Sequence, residues 1–293
     1  MNATQSISLR NWITLIFLGI IWGSSFILMK KALVSMNPIQ LATVRIGVAC
    51  LAFMPYIFFV WKKIEWKNWH KYLIIGLTTT GIPSFCFAIA QTKVSSATAG
   101  ILNSLTPIFT LLISILFFNG KFQAAKLLGV IIGFLGAGLL IFTSNSPDGE
   151  SNFWYGMLIL LATICYGINA NAVKKFFPAT NSLIVSAGAF VMVGFPGLIY
   201  MIFFGDGLGL IMKSENHSAL FAAVSLSLLC TVLANVLFYD FIQKTNAVFA
   251  SSVTFLIPIV AIFWGFIDGE IFTIYHIISI ASIIFAIYLL RKP

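Results

Sequence analysis

Charge is what this chain has least of. Of its 293 residues 9% are charged and eight are acidic, against 60% hydrophobic. Soluble domains carry about 25% charged residues, so this chain lacks the polar surface that a water-facing fold needs. It is also too apolar to stay disordered. Histidine is scarce too: His70, His217 and His276 are scattered, and the sequence has neither an HExxH nor a DxxD pattern. That argues against metal-assisted phosphate chemistry. The four cysteines, Cys50, Cys86, Cys165 and Cys230, lack the paired spacing of a metal site or redox motif and read as small buried hydrophobes. No run is densely basic and interleaved with aromatics, so no nucleic-acid partner is expected. No metal and no cofactor are expected. What remains is an all-α integral membrane protein, with the lipid bilayer as its surroundings.

A helix crossing a hydrocarbon core of about 30 Å needs about 20 apolar residues. Ten runs qualify: 12–29, 38–61, 72–90, 94–118, 124–142, 154–173, 182–204, 219–241, 247–267 and 271–290. The first follows Arg10 and could imitate a signal peptide, but it is long for one and no clear A-x-A site follows. The connections are short, so one membrane domain is expected, with no linker or soluble module.

The cations are distributed unevenly over these connections. With the N-terminus in the cytoplasm, the inner side receives Arg10, Lys62, Lys63, Lys67, Lys71, Lys121, Lys126, Lys174, Lys175, Lys244, Arg291 and Lys292. The outer side receives Lys30, Lys31, Lys93 and Lys213, together with Asp148, Glu150, Asp206, Glu215, Asp268 and Glu270. Positive charge on short loops marks the cytoplasmic side. Both termini are therefore expected there.

The second half echoes the first. Trp22-Gly23 with Lys30-Lys31 matches Tyr166-Gly167 with Lys174-Lys175 at an offset of 144. Lys93 with Pro107 matches Lys244 with Pro258 at an offset of 151, and Phe53-Met54-Pro55 matches Gly194-Phe195-Pro196 at 141. Five spans in each half is an odd number, so the two halves are expected to insert upside down relative to one another. The expected units are residues 1–145 and 150–293. Inverted repeats of this kind are a recurring plan of secondary transporters, with substrate near the midplane between the repeats. A structural protein recording a gene duplication has the same pattern.

In this order of features the chain resembles the EamA family of the drug/metabolite transporter superfamily. The resemblance rests on "WGSSF" at 22–26, Arg45 early in the second helix, "SSATAGILNSLTPIF" at 95–109, its second copy "AVFASSVTFLIPIV" at 247–260, and the closing Gly269-Glu270. It implies export of a metabolite, often an amino acid or related compound, by alternating access without ATP. The family often has Glu after the fourth helix as well, where this chain has Asn119.

The candidate site residues fall in matched sets. Asn103 and Pro107 share a face of helix four, with Thr106 adjacent, and Thr254 and Pro258 repeat that face on helix nine. A proline frees a carbonyl about one turn earlier, which in lipid needs a protein partner or a polar cavity. The prolines either bend these helices around a cavity or merely kink packed helices. Trp22 and Ser25 pair with Tyr166 and Asn169 on helices one and six; they are gate and substrate contacts, or interfacial anchors and helix glue. Asn235 and Tyr239 share a face of helix eight with the same two readings, and Phe85 is an aromatic wall or core. Arg45 lies within a span, where a cation costs about 2.5–3.5 kcal/mol on insertion scales. It holds a substrate carboxylate, serves an outer gate, or binds helix ends or a lipid phosphate. Helix five carries Gly129, Gly133, Gly136 and Gly138, a pattern for close packing within the chain or for a homodimer seam.

The expected function is export of a small neutral or zwitterionic metabolite across a bacterial inner membrane. The chain is not expected to be an enzyme. The alternatives are a membrane-embedded enzyme acting on lipid or lipid-phosphate, and a nucleotide-sugar or organic-anion exchanger of the same superfamily.

Overall fold

The computed structural model describes residues 9–120, 124–143, 153–205, 207–245, 247–270 and 272–291. The described residues form helices and turns, with no strand among them. The principal helices are α1 (Leu9–Ala32), α2 (Pro38–Val60), α3 (Trp66–Ala90), α4 (Ser96–Phe117) and α5 (Ala124–Thr143). They continue as α6 (Phe153–Phe176), α7 (Ser182–Phe203), α8 (His217–Lys244), α9 (Ala247–Ile267) and α10 (Ile274–Arg291). Eight helices, α1–α4 and α6–α9, are long and apolar enough to cross a bilayer. The expected ten spans therefore stand at eight by that criterion, with shorter apolar stretches at Leu128–Leu139 in α5 and Ile274–Ala286 in α10. Lys121, Asp148, Glu150, Asp206 and Lys292 lie outside the described residues.

The surface suits lipid rather than water. Phe58, Phe59, Phe203, Phe221 and Phe266 are all exposed, while many serines, threonines and asparagines, Thr110, Asn103 and Asn169 among them, are buried. Most of those hydroxyls bond a carbonyl three or four residues back, as Thr43 does to Ile39 and Thr110 to Thr106. In lipid a polar group has no water to turn to, so it must find its partner inside the protein.

Small residues bring the first half against the second. At Gly23 an added Cβ would run into Val260 and the Ile257 carbonyl of α9. At Gly167, 144 residues later, it would meet the Thr110 nitrogen at 2.9 Å and the Phe109 carbonyl carbon at 3.0 Å in α4. Thus α1 packs on α9, and α6 packs on α4. Gly133 and Gly136 of α5 are consumed inside the chain, against Ile108, Ala286 and Ser282.

Two ends of the bundle can be told apart. Lys30, at the end of α1, meets Asp268 and Glu270 after α9, and Glu270 sits on Ser96 and Ala97 at the start of α4. At the other end Lys174 of α6 donates to the carbonyls of Ile242, Gln243 and Thr245, where α8 finishes. Lys175 lies 4.9 Å from the ring of Phe118, just after α4. It follows that α1 runs antiparallel to α6, and α4 antiparallel to α9.

Candidate functional site

Three kinds of break in the helices shape the interior. In α4 the helix gives way to a turn at Ser104 and Leu105, then resumes at Thr106 with Pro107 in its second position. The proline removes the donor that would have reached the Asn103 carbonyl. Thr106 replaces it, its Oγ1 donating to that carbonyl at 2.7 Å. In α9 the stretch Ser252–Phe255 tightens to a 3-10 helix before Pro258, and Thr254 Oγ1 donates to the Ser251 carbonyl at 2.9 Å. The third break is a widening: α3 and α8 each contain a π segment, Leu77–Gly81 and Leu226–Leu233. The two lie about 150 residues apart, at matching places in the two halves. Such widenings occur often at functional sites because they push side chains and carbonyls out of register.

These breaks surround a cavity with about 690 Å³ of non-atom space, mouth included. Its wall comes from Trp22, Ser25, Phe26 and Met29 of α1, Arg45 of α2, Thr79 and Phe87 of α3, and Asn103 and Thr106 of α4. Tyr166 and Asn169 of α6, Cys230, Asn235 and Phe238 of α8, and Ser251, Thr254 and Ile257 of α9 complete it. Thus Trp22, Ser25, Arg45, Asn103, Thr106, Tyr166, Asn169, Asn235 and Thr254, named from the sequence, meet in one place.

Two named residues do not line it. Phe85 is half-buried and packs on the surrounding apolar core; Phe87, two residues on and 2% exposed, faces the cavity instead. Tyr239 is fully buried one layer behind the wall, where its hydroxyl accepts from Asn169 Nδ2 at 3.3 Å. The residues missed from the sequence include Thr79, Cys230 and Ser251. The run Thr78-Thr79-Thr80 inside an apolar span was a signal for the first; the π segments had none.

The polar groups of the wall divide by whether the protein satisfies them. Asn169 donates to the Ile75 carbonyl at 3.1 Å, and Asn235 donates to the Thr231 carbonyl at 2.6 Å while accepting from Thr79 at 2.8 Å. These asparagines join helices. Asn103 is different: it is 4% exposed, and its Oδ1 has no hydrogen-bond partner among the described residues. Arg45, 7% exposed, donates from its Nε to Thr231 Oγ1 at 2.8 Å, its one side-chain hydrogen bond among the described residues. No carboxylate pairs with it among the described residues. A buried amide oxygen left open is costly, and both Asn103 and the charged Arg45 line the cavity.

Comparison with known proteins gives this arrangement a context. The model of the EamA-like transporter family matches residues 10–142 and again 153–292. The chain belongs to the EamA-like transporter family. An uncharacterized transporter of Archaeoglobus fulgidus is 25% identical over 257 residues, covering 88% of this chain and 89% of that protein. The uncharacterized inner membrane transporter YedA of Escherichia coli is 24% identical over 275 residues, covering 93% and 87%. A solved crystal structure of a protein matches the fold with a TM-score of 0.66 at 14% identity, covering 96% of each chain. Family membership and the apolar helices make this a multi-pass membrane transporter.

Proposed function

We propose that this transporter moves a small neutral or zwitterionic metabolite, an amino acid or related compound, by alternating access through the cavity. The observation that carries this reading is the pair of open polar groups in the wall, the Arg45 guanidinium and the Asn103 amide. A carboxylate would satisfy the first with charge-assisted hydrogen bonds, and an amino group would satisfy the Asn103 oxygen. Trp22, Phe26, Phe87, Tyr166 and Phe238 offer apolar and aromatic surface to the rest of the molecule. One guanidinium is a poor match for the diphosphate of a nucleotide sugar but suits a single carboxylate. That match also supports the organic-anion reading as the second choice.

The two-unit reading, residues 1–145 and 150–293 as inverted five-helix repeats, is supported by the antiparallel course of α1 and α6 and of α4 and α9. The two separate family matches support it too. In that arrangement the cavity lies between repeats and can face either side in turn. The acids at the Lys30 end and the cations at the Lys174 end support cytoplasmic termini in a bacterial inner membrane. A homodimer remains a proposal without structural support, since Gly133 and Gly136 are already packed within the chain.

The test uses proteoliposomes and a panel of amino acids. Asn103→Phe and Thr254→Phe fill the cavity, and each is expected to abolish flux while membrane insertion stays at the wild-type level. Undiminished flux in both variants overturns the cavity assignment.

A further inference from the structure

Two matching corners of the bundle are built differently. At the Lys30 end the chain leaving α9 turns through Gly269, whose φ of +76° suits a residue without a side chain, and lays Glu270 over the first turn of α4. That carboxylate is 7% exposed. It accepts from the Ser96 nitrogen at 3.0 Å and the Ala97 nitrogen at 3.1 Å, and Lys30 Nζ lies 3.1 Å away. Helix N-termini present amides with no intrahelical partner, and a carboxylate bound there is favoured by charge and by the helix dipole. One side chain thus fastens together the ends of α1, α4 and α9.

Among the described residues, the opposite corner has no such fastening. The residue 151 positions before Glu270 is Asn119, and the residue 144 positions after Lys30 is Lys174. Both line a groove beside Ala247 and Val248, at the start of α9. Asn119 carries no charge, and Lys174 points to three carbonyls at the end of α8. Where the first corner holds a carboxylate, this one holds an open groove with about 860 Å³ of non-atom space, mouth included.

We propose that Glu270 is a one-sided latch, holding the Lys30 end of the transporter shut, while at the Lys174 end no carboxylate among the described residues sits over a helix start, and that end opens more readily. Two related end-closed states of an inverted repeat start close in energy, so a contact made in only one of them biases the population. The latch rests on the alternating-access reading for its consequence, and its test reads accessibility rather than flux.

The experiment uses the full chain in oriented vesicles, with Cys50, Cys86 and Cys165 changed to alanine. Cys230, in the cavity wall, is left as reporter. A membrane-impermeant maleimide is applied from each face. This background, with Glu270 in place, is expected to label faster from the Lys174 face. Glu270→Gln should raise labelling from the Lys30 face on the order of tenfold, the scale of losing charge-assisted hydrogen bonds. Asn119→Glu places a carboxylate at the second corner and should slow labelling from the Lys174 face. A folded Glu270→Gln protein with an unchanged face ratio overturns the latch. If that variant does not fold, Asn119→Glu decides alone, and an unchanged ratio there overturns it as well. Shifted labelling in a protein that moves no amino acid keeps the latch and sinks the substrate reading. Amino-acid flux with fixed labelling does the reverse.

Discussion

Trp22 donates its indole Nε1–H to the backbone carbonyl of Cys230 at 2.9 Å. The bond joins α1 of the first half to the π segment of α8 in the second. The widened turn takes that carbonyl out of the helical ladder, and the indole supplies a donor where lipid could not. The same contact fixes the ring, which meets Phe238 edge-on at a centroid distance of 4.9 Å. Trp22→Phe keeps an aromatic surface but removes the donor. The variant is expected to lose about 0.6 kcal/mol of stability and at most about 1.7 kcal/mol, the mean and maximum for hydrogen bonds between membrane helices. A melting curve in detergent checks this. An unchanged midpoint would mean that the bond is incidental.

Glycine substitutions should separate packing sites from open ones. A methyl group at Gly167 meets backbone atoms of α4, which cannot swing aside as a side chain can. At Gly138 there is nothing within 4 Å. Gly167→Ala is therefore expected to destabilise by about 1–3 kcal/mol, the usual cost of overpacking. Gly138→Ala should be neutral or slightly stabilising, because alanine is the better helix former. Equal melting temperatures for the two variants would contradict the close approach of α6 to α4.

The legible part of this molecule was what repeats or punctuates. Pro107 and Pro258 marked real breaks in α4 and α9, because a missing donor acts whatever surrounds it. Lys30 and Lys174 marked opposite ends, because charge must leave the hydrocarbon. The π segments were illegible: a widened turn has the same apolar composition as an ordinary one, and the groups bonded to it, Trp22 and Arg45 at α8 and Asn169 and Asn235 at α3, come from other helices. Phe85 and Phe87 show the same limit. Both suit an α-helix in lipid, and it is the tertiary packing, not the residue type, that sets Phe87 rather than Phe85 in the cavity wall. Tyr239 was placed one layer too far forward, since its polar tip finds Asn169 behind the wall rather than an occupant within it.

Arg45 gives a prediction that divides binding from folding. Its Nε is held by Thr231, and the Arg45 backbone carbonyl accepts from Ser227 Oγ at 2.7 Å, so the residue is fixed from α8. Arg45→Gln keeps a polar side chain and removes the charge. The expected result is intact insertion with a KM for amino-acid uptake raised about 10–100-fold, the scale of a lost charge-assisted bond. Arg45→Lys should not restore uptake fully, because a point charge on a flexible stem cannot reproduce the planar fork. Full activity in the lysine variant would show that charge alone suffices.

The acids bear on the driving force. A proton-coupled carrier needs a group in its pathway that takes up and releases the proton, most often a carboxylate or histidine. The cavity wall, as described, contains neither. Asp240 lies outside it, paired with Lys244 at 2.6 Å, and Glu270 is bound over the start of α4. His276 is also away from the wall, with its Nδ1 accepting from the Thr273 nitrogen at 3.2 Å. Under the proposed alternating access, the described wall has no carboxylate or histidine to carry a proton across. Amino-acid uptake into proteoliposomes is expected to follow the substrate gradient or an exchanged counter-substrate, and to be indifferent to an imposed pH gradient. The measurement is initial uptake with and without that gradient at fixed membrane potential. Strong acceleration by the gradient would require a titrating group in the path and would refute this mechanism of facilitated export or exchange.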